Sequence, residues 1–194
     1  MILDACCGAL KMYDGLVNDL FDSGEFITID KRKGDFSYQR ENDFCKHEII
    51  VKPLVLADMR FLPFKDGSMD GIVCDPPHLK CGDKSYSFAY YGSWSQEDVL
   101  NNLRVVDPEF SRVLRDGGFL FLKIMNDRKE VYLGMLKHFS FFLPIQIKRR
   151  NGKFKDLKEY TDGAIWLIGY KLKQPKITKL LAQLRLEAPL ENRN

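Results

Sequence analysis

Four short apolar runs, each ending in an aspartate, limit what this chain can fold into more than any other feature. They end at Asp4, Asp30, Asp58 and Asp75. Each run has the length of a β-strand, and apolar residues at helical spacing follow the first and the fourth. Strands that alternate with helices are the pattern of a sheet covered by helices. We therefore predict an α/β domain with a mostly parallel seven-stranded sheet, an antiparallel final strand and helices on both faces.

Periodicity and capping signals predict the remaining elements. Ser95 followed by Asp98 predicts a capped helix, which Pro108 is expected to restart or kink. The polar segment 35–52 shows little periodicity and is predicted to be a loop with a helical turn. Further elements are predicted at 119–124 (strand), 127–139 (helix), 144–150 (strand) and 163–172 (strand).

Length and composition indicate one cytoplasmic domain. The chain has 194 residues, of which 45% are apolar, enough to bury a core. No apolar run approaches the roughly eighteen residues of a membrane span, and the start lacks the basic and then apolar layout of a secretion signal. We expect the domain to cover residues 1–174, followed by a basic amphipathic tail at 175–194.

The cysteines predict reduced thiols and no metal site. Their number, five, is odd and their positions form no regular framework, which is typical of free thiols in a reducing compartment. Cys45, His47 and Cys81 are a conceivable zinc set. They lack the paired spacing of structural zinc sites, so we predict that no metal binds there.

The first run leads into a tight loop of small residues, as at the start of nucleotide-binding α/β units. Gly8 in this loop lets a ligand approach the backbone closely, since glycine has no Cβ. A full glycine-rich pattern would also place glycine at the positions of Cys6 and Leu10. Asp30, which ends the second run, is placed to accept hydrogen bonds from both hydroxyls of a ribose. Loop and acid together predict a cofactor that contains a ribose.

The fourth run delivers a corner at residues 75–78 with the sequence Asp-Pro-Pro-His. The exocyclic amine of a nucleobase is a poor nucleophile, because its lone pair is delocalised into the ring. An acidic side chain and a proline carbonyl at one corner can accept both amine hydrogens and favour a more tetrahedral nitrogen. The prolines stiffen the corner, and the flat side chain of His78 offers a stacking surface. The alternative is a proline-stiffened loop after a buried strand.

This corner, after three earlier acids in this order, resembles the (Asp/Asn)-Pro-Pro-(Tyr/Phe/Trp/His) corner of class I S-adenosylmethionine-dependent amino methyltransferases. The resemblance covers roughly residues 1–125 and is nearest in scale to small phage and bacterial enzymes of the N6-adenine or N4-cytosine type. It implies a Rossmann-like domain, S-adenosylmethionine as cofactor and a catalytic corner of Asp75, Pro76, Pro77 and His78. It also implies cofactor contacts by Asp4, Cys6, Gly8, Asp30, Lys31, Asp58, Met59 and Asp75.

Residues 79–94 are predicted to form a long loop beside this corner, rich in aromatic side chains and lysines. Aromatic rings stack on bases and lysines contact phosphates, so such a loop is typical of a substrate clamp. The alternative is an ordered lid that packs its own aromatic side chains. We expect the loop to be mobile without substrate. The substrate-binding residues that we predict are Tyr86, Tyr90, Tyr91, Trp94 and Lys123.

Basic charge gathers in the C-terminal third, although the whole chain has a net charge of only +3. Residues 146–158 carry six Lys or Arg against one acid, and residues 171–194 carry six against two. Such segments suit the phosphates of DNA or RNA, although they are also consistent with a solvated surface. The tail offers a surface for a partner subunit or a homodimer. A partner would supply the target recognition for which this chain has no separate domain.

Two other functions are consistent with the residues. Ribose 2′-O methylation of RNA uses a lysine at the end of the fifth strand, where Lys123 is predicted, and Asp75 would be its partner. That lysine is only part of the set such enzymes use. A non-catalytic subunit with the same fold is the other alternative, supported by the missing glycines at Cys6 and Leu10. A nicotinamide dehydrogenase fits less well, because it leaves the Asp-Pro-Pro corner unexplained.

Overall fold

The computed structural model describes residues 1–10, 23–39, 46–77, 81–82, 85–125, 129–141 and 164–172. The strands are β1 (Ile2–Asp4), β2 (Phe26–Asp30), β3 (Gly34–Gln39), β4 (Lys46–Val51), β5 (Val55–Leu56), β6 (Met69–Cys74), β7 (Leu114–Met125), β8 (Phe139–Phe141) and β9 (Ala164–Lys171). The helices are α1 (Tyr86–Tyr91), α2 (Gln96–Val113) and α3 (Lys129–Met135). Several predicted features lie outside the described residues: the helix after the first loop, His78, the strand at 144–150 and the tail at 175–194.

Seven of the described strands form one sheet, in the order β5-β2-β1-β6-β7-β9-β8. The first five of this order are parallel, and β9 runs antiparallel to its neighbours β7 and β8. This arrangement confirms the predicted Rossmann-like α/β fold with an antiparallel final strand. The strand order reverses between β1 and β6. In open sheets of this kind, ligands bind outside the carboxyl ends of the strands at the point of reversal.

The central strands are almost continuously apolar, as expected for strands covered by other elements. Leu3, Ile29 and Ile72, one each from β1, β2 and β6, have no exposed surface. Helix α2 buries one face on the sheet through Val99, Leu103, Val106, Phe110 and Val113. Helices α2 and α3 contact each other, and both contact β7. Within the described residues, no helix is long and apolar enough to span a membrane.

The start of α2 has the predicted capping box. Ser95 Oγ accepts a hydrogen bond from the backbone N of Asp98 at 3.1 Å, and the Asp98 carboxylate accepts one from the backbone N of Ser95 at 2.8 Å. The helix then runs through Pro108 to Val113 without the predicted restart. The strand predicted at 119–124 begins earlier than predicted. It is β7, which starts at Leu114, directly at the end of α2.

The prediction of a loop at 35–52 was wrong. Residues 34–39 and 46–51 form the antiparallel strands β3 and β4, called the hairpin below, in which Tyr38 is opposite His47 and Phe36 is opposite Ile49. Burial alternates along β4, where Ile49 and Val51 are buried and Ile50 is exposed, but the apolar residues do not alternate, because Ile50 is apolar too. Each strand is only six residues long and rich in polar side chains, so the two-residue period of a β-strand is not evident in the sequence.

Two further predicted boundaries were wrong. Residues 79–94 were predicted to be loop throughout, but α1 lies within them. Ser85 Oγ caps this helix by accepting from the backbone N of Phe88 at 3.2 Å, and Gly92, with φ of +84°, ends it. The helix predicted at 127–139 ends at Met135, and Phe139 belongs to β8, where it pairs with Lys171.

Candidate functional site

A cleft lies at the carboxyl ends of the central strands, where the sheet order reverses. Its floor comes from the loops after β1, β2 and β5, and its other wall from Pro77 and the segment around α1. The cleft brings together eight of the residues that the sequence predicted for the site: Cys6, Asp30, Lys31, Asp58, Met59, Pro77, Tyr91 and Trp94. The position is the one that the fold favours for a nucleotide-like ligand.

The loop after β1 is held by Asp4 and shaped by Gly8. Asp4 is buried, and its Oδ1 accepts a hydrogen bond from the backbone N of Cys6 at 3.1 Å. Gly8 has φ of +53°, and a Cβ there would lie 2.3 Å from the carbonyl oxygen of Tyr90. Leu10, where a full pattern would have glycine, also has a positive φ of 57°. At Leu10 the backbone therefore keeps a conformation that favours glycine, although glycine is absent there and at Cys6.

Asp30, at the tip of β2, accepts four hydrogen bonds. Its Oδ2 accepts from the backbone N of Gly8 at 3.0 Å, and its Oδ1 from the backbone N of Arg32 at 2.8 Å. The guanidinium of Arg32 adds two longer contacts, at 3.3 and 3.4 Å. The Asp30 side chain is 8% exposed. An ionised carboxylate has about four acceptor positions, so all of them are engaged.

Asp58, after β5, repeats this local geometry with Arg60. Its Oδ1 accepts from the backbone N of Arg60 at 3.0 Å and from Nε at 2.9 Å, while Oδ2 accepts from Nη2 at 2.6 Å. The side-chain hydrogen bond from Arg60 is the main reason that the pKa of Asp58 lies below its usual value. Arg60 also donates to Asn102 at 3.3 Å. Both cleft acids thus carry an arginine two residues later.

Asp75, directly after β6, forms an ion pair with Lys123 of β7. The distance from Lys123 Nζ to Asp75 Oδ2 is 2.6 Å. Lys123 Nζ also lies 5.8 Å from the ring centre of Tyr91 and 5.9 Å from that of Trp166, its cross-strand partner on β9. These are favourable cation–π distances. The corner therefore presents an acid and an amine between two aromatic rings.

The predicted substrate aromatics fall into two groups. Tyr91 and Trp94 line the cleft, but Trp94 is only 5% exposed and belongs to the main core. Tyr86 and Tyr90 pack instead with Tyr38 of the hairpin, at ring-centre distances of 5.1 and 6.2 Å. This packing of Tyr86 and Tyr90 is the kind expected for an ordered lid, the alternative to a substrate clamp. Burial, with a smaller contribution from Asp75, raises the pKa of Tyr91 to about 12.

The cysteines of the described residues are free thiols. Cys6 Sγ lies 3.8 Å from Cys74 Sγ, directly beside the corner. The hydrogen bond with Cys74 and burial hold the pKa of Cys6 well above its usual value, and burial likewise raises that of Cys7. Neither thiol is therefore an activated nucleophile. In the part of the chain that the structure describes, no group of His, Cys, Asp or Glu is arranged to hold a metal ion.

Among the contributors to the site that sequence reasoning missed are Arg32, Arg60 and Trp166. The two arginines could have been found from the sequence, since each stands two residues after an acid that follows or ends a strand. The contact of Trp166 with Lys123 depends on the register of β7 and β9. A register between strands more than 40 residues apart cannot be read from one sequence.

No family model and no curated protein matches the chain. Among solved structures, a SAM-dependent methyltransferase from Methanosarcina mazei aligns over 89% of this chain and 92% of its own, with 12% identity and a TM-score of 0.48. TrmN from Thermus thermophilus aligns over 61% of this chain and 28% of its own, with 20% identity and a TM-score of 0.40. The 1,6-didemethyltoxoflavin-N1-methyltransferase of Burkholderia thailandensis aligns over 89% and 71%, with 10% identity and a TM-score of 0.46.

Proposed function

We propose that the protein is an S-adenosylmethionine-dependent methyltransferase that acts on an exocyclic amine of a base in DNA or RNA. The observation that carries the proposal is the cleft at the reversal of the strand order. Asp30 and Asp58 line it together with Pro77, the residue two after Asp75. The acids that we assign to the ribose and to the adenine thus share one cavity with the second proline of the corner.

The residues of the cleft fit this cofactor. The two strand-tip carboxylates are acceptors, as a ribose diol and an adenine amino group require, and the close packing at Gly8 keeps the intervening loop in place. Ribose hydroxyls would replace the two guanidinium contacts of Asp30, since these are its longest hydrogen bonds. When bound, S-adenosylmethionine supplies a methyl group on an electrophilic sulfonium, so the protein contributes mainly position and electrostatics.

Asp75 and the carbonyl of Pro76 would hold the two hydrogens of the target amine, and His78 would stack on the base. Lys123 fixes the Asp75 carboxylate at 2.6 Å and places positive charge beside it. Tyr91, at the same end of the cleft, stays a neutral phenol at physiological pH because its pKa is about 12. It is able to stack on a base or donate its hydroxyl without carrying a charge. A base in a duplex would have to be flipped out to reach this corner.

The decisive experiment combines binding and transfer. Calorimetry should detect S-adenosylmethionine and S-adenosylhomocysteine, and methyl-labelled cofactor incubated with DNA and RNA pools should label one of them. Digestion of that pool to nucleosides should then yield an N-methylated base. Binding without transfer to either pool would contradict the nucleic-acid substrate. Absence of binding would contradict the enzyme and favour a non-catalytic subunit.

The Asp75–Lys123 ion pair also favours a second candidate, ribose 2′-O methylation of RNA. A lysine within reach of a reacting hydroxyl stabilises the developing alkoxide, and an acid at 2.6 Å orients that lysine. The digestion above separates the two candidates, because a 2′-O-methylated product leaves the base unmodified and resists alkaline cleavage on its 3′ side. The amine remains the first candidate, since only it uses the two prolines of the corner.

A further inference from the structure

Helix α1 is too short to be stable alone, and its C-terminal end is held by a residue from another part of the chain. Isolated helices below about 12 residues are marginal in water, and α1 has 6. Its last turn contains no basic residue that would satisfy the terminal carbonyls. The position of α1 therefore depends on contacts from outside the helix.

Arg32 supplies the polar part of these contacts, beside the packing of Tyr86 and Tyr90 on Tyr38. Its Nη1 donates to the carbonyl oxygen of Phe88 at 2.9 Å, and its Nη2 donates to that of Tyr90 at 3.1 Å. The guanidinium therefore caps α1 from a position 56 and 58 residues earlier in the sequence. The Arg32 side chain is only 14% exposed, so these bonds form in a partly dry environment where they are stronger.

The same guanidinium also contacts the cofactor half of the cleft and the hairpin. It reaches Asp30, and its Cζ lies 5.2 Å from the ring centre of Phe36. Gly92, which ends α1, lies beside it, since a Cβ there would be in ordinary van der Waals contact with the Arg32 guanidinium at 3.6 Å. One side chain thus joins the tip of β2, the hairpin and the segment that brings Tyr91 and Gly92 to the cleft.

We propose that Arg32 is the positioning residue for the substrate half of the cleft: it holds α1, and with it Tyr91, in the place where the target base enters. The kinetic side of this inference rests on the proposed methyltransferase function. The structural part of the inference does not rest on it, because Arg32 forms its hydrogen bonds to α1 without any ligand. Arg32 need not touch the substrate, since it acts through the backbone of α1.

Cofactor binding should depend on Arg32 much less than substrate binding does. Without the guanidinium, Asp30 still accepts from the backbone N of Gly8 at 3.0 Å and from the backbone N of residue 32 at 2.8 Å. These two bonds keep the carboxylate oriented toward the cleft. The carbonyl of Phe88 keeps a donor in the backbone N of Gly92 at 2.9 Å, but both it and the carbonyl of Tyr90 lose the hydrogen bond that Arg32 donates.

Arg60 provides a matched control. It sits two residues after Asp58 as Arg32 does after Asp30, and it lines the same cleft, but its side chain donates to Asp58 and Asn102 rather than to α1. The variants to compare are Arg32→Gln, Arg32→Lys and Arg60→Gln. Lysine retains the charge, but its single ammonium cannot reproduce the planar fork that spans two carbonyls and a carboxylate.

Hydrogen exchange of the peptide covering residues 85–92, measured without ligand, tests the structural side. We expect exchange about tenfold faster or more in Arg32→Gln, a partial effect in Arg32→Lys and the native rate in Arg60→Gln. Equal rates in native protein and Arg32→Gln would overturn the inference. If Arg32→Gln does not fold, the comparison of Arg32→Lys with Arg60→Gln decides in the same way.

Kinetics test the positioning role. In Arg32→Gln the KM for the labelled nucleic acid should rise about tenfold or more, while the dissociation constant of S-adenosylhomocysteine changes less than about threefold. In Arg60→Gln the dissociation constant of S-adenosylhomocysteine should change by a larger factor than the KM for the nucleic acid. If Arg32→Gln weakens S-adenosylhomocysteine binding by as large a factor as it raises the KM for the nucleic acid, Arg32 has only a general structural role. Failure of the native protein to bind cofactor would refute the proposed function alone, and the exchange measurement would still decide on Arg32.

Discussion

Lys123 Nζ lies 2.6 Å from Asp75 Oδ2, so that an ion pair joins the ends of β6 and β7 at the cleft. The side chains are 24% and 7% exposed, and both belong to the centre of the sheet. Removal of one partner from such a pair leaves the other charge in a poorly solvated place. The pair should therefore affect both activity and stability. Variants of Asp75 and of Lys123 should differ in their effect on methyl transfer.

Asp75→Ala should abolish transfer and leave the cofactor bound, because in the proposed reaction Asp75 holds the target amine. We expect at least about a 100-fold loss of transfer with little change in S-adenosylhomocysteine affinity. Asp30→Ala should weaken cofactor affinity first, by about 10- to 100-fold, as hydrogen bonds to a charged acceptor are lost. Calorimetry and single-turnover transfer measure both. Asp116→Ala, at a side chain 73% exposed, is the control, and the reverse order of effects would refute these roles.

Lys123→Met should lower methyl transfer by about tenfold without abolishing it, if the target is an amine. The reason is that Lys123 orients Asp75 but does not itself hold the amine. Single-turnover transfer to the labelled pool measures the effect, with Lys137→Met, at an exposed lysine, for comparison. Transfer that falls to background would favour the ribose candidate, in which the lysine acts directly on the reacting hydroxyl.

Gly8→Ala should destabilise the protein more than Gly24→Ala. Both glycines have positive φ, +53° and +68°, so an alanine costs about 1 kcal/mol of backbone strain at each. Only at Gly8 would the new Cβ meet a backbone atom, the Tyr90 carbonyl oxygen at 2.3 Å, whereas nothing lies within 4 Å at Gly24. Displacement of α1 should add about 1–3 kcal/mol. Urea unfolding of the two variants measures the difference, and equal costs would contradict the close approach.

Glu109→Gln should destabilise the protein near neutral pH by about 1–2 kcal/mol. Glu109 accepts from Arg112 at 2.6 Å and from the backbone N of Leu62 at 2.7 Å, and the bond from Arg112 is the main reason that its pKa is lowered. A lowered folded pKa stabilises the protein above the unfolded value of about 4.3, and this stabilisation is lost as pH falls through the folded pKa.

The difference between native protein and Glu109→Gln in unfolding free energy should therefore shrink between about pH 5 and pH 3. Denaturant unfolding at several pH values measures this, with Glu48→Gln on the exposed side of β4 for comparison. A difference that stays constant across this range would show that the charge of Glu109 does not contribute.

The strands that carry the cleft acids could be predicted from the sequence because each is a short apolar run with an acid at or just after its end. Met69–Cys74 has the predicted bounds, whereas the order of the strands in the sheet was not predicted. The hairpin of β3 and β4 was missed, since both strands are short and polar and the exposed Ile50 interrupts the alternation of apolar residues. The contacts of Arg32 with Phe88 and Tyr90 join residues more than 50 positions apart. They are set by tertiary packing, which no local pattern reveals.

The arginines beside Asp30 and Asp58 also set how ionic strength acts on the cleft. Each strand-tip acid is balanced by its own guanidinium within 3.4 Å, so these pairs present oriented dipoles to a ligand and little net field. A small ligand held by them is recognised through the directions of its hydroxyl and amino groups. Its affinity should hardly change with added salt, whereas a polyanion must release counterions as it binds. Added salt should then release the nucleic acid from the cleft while the cofactor stays bound.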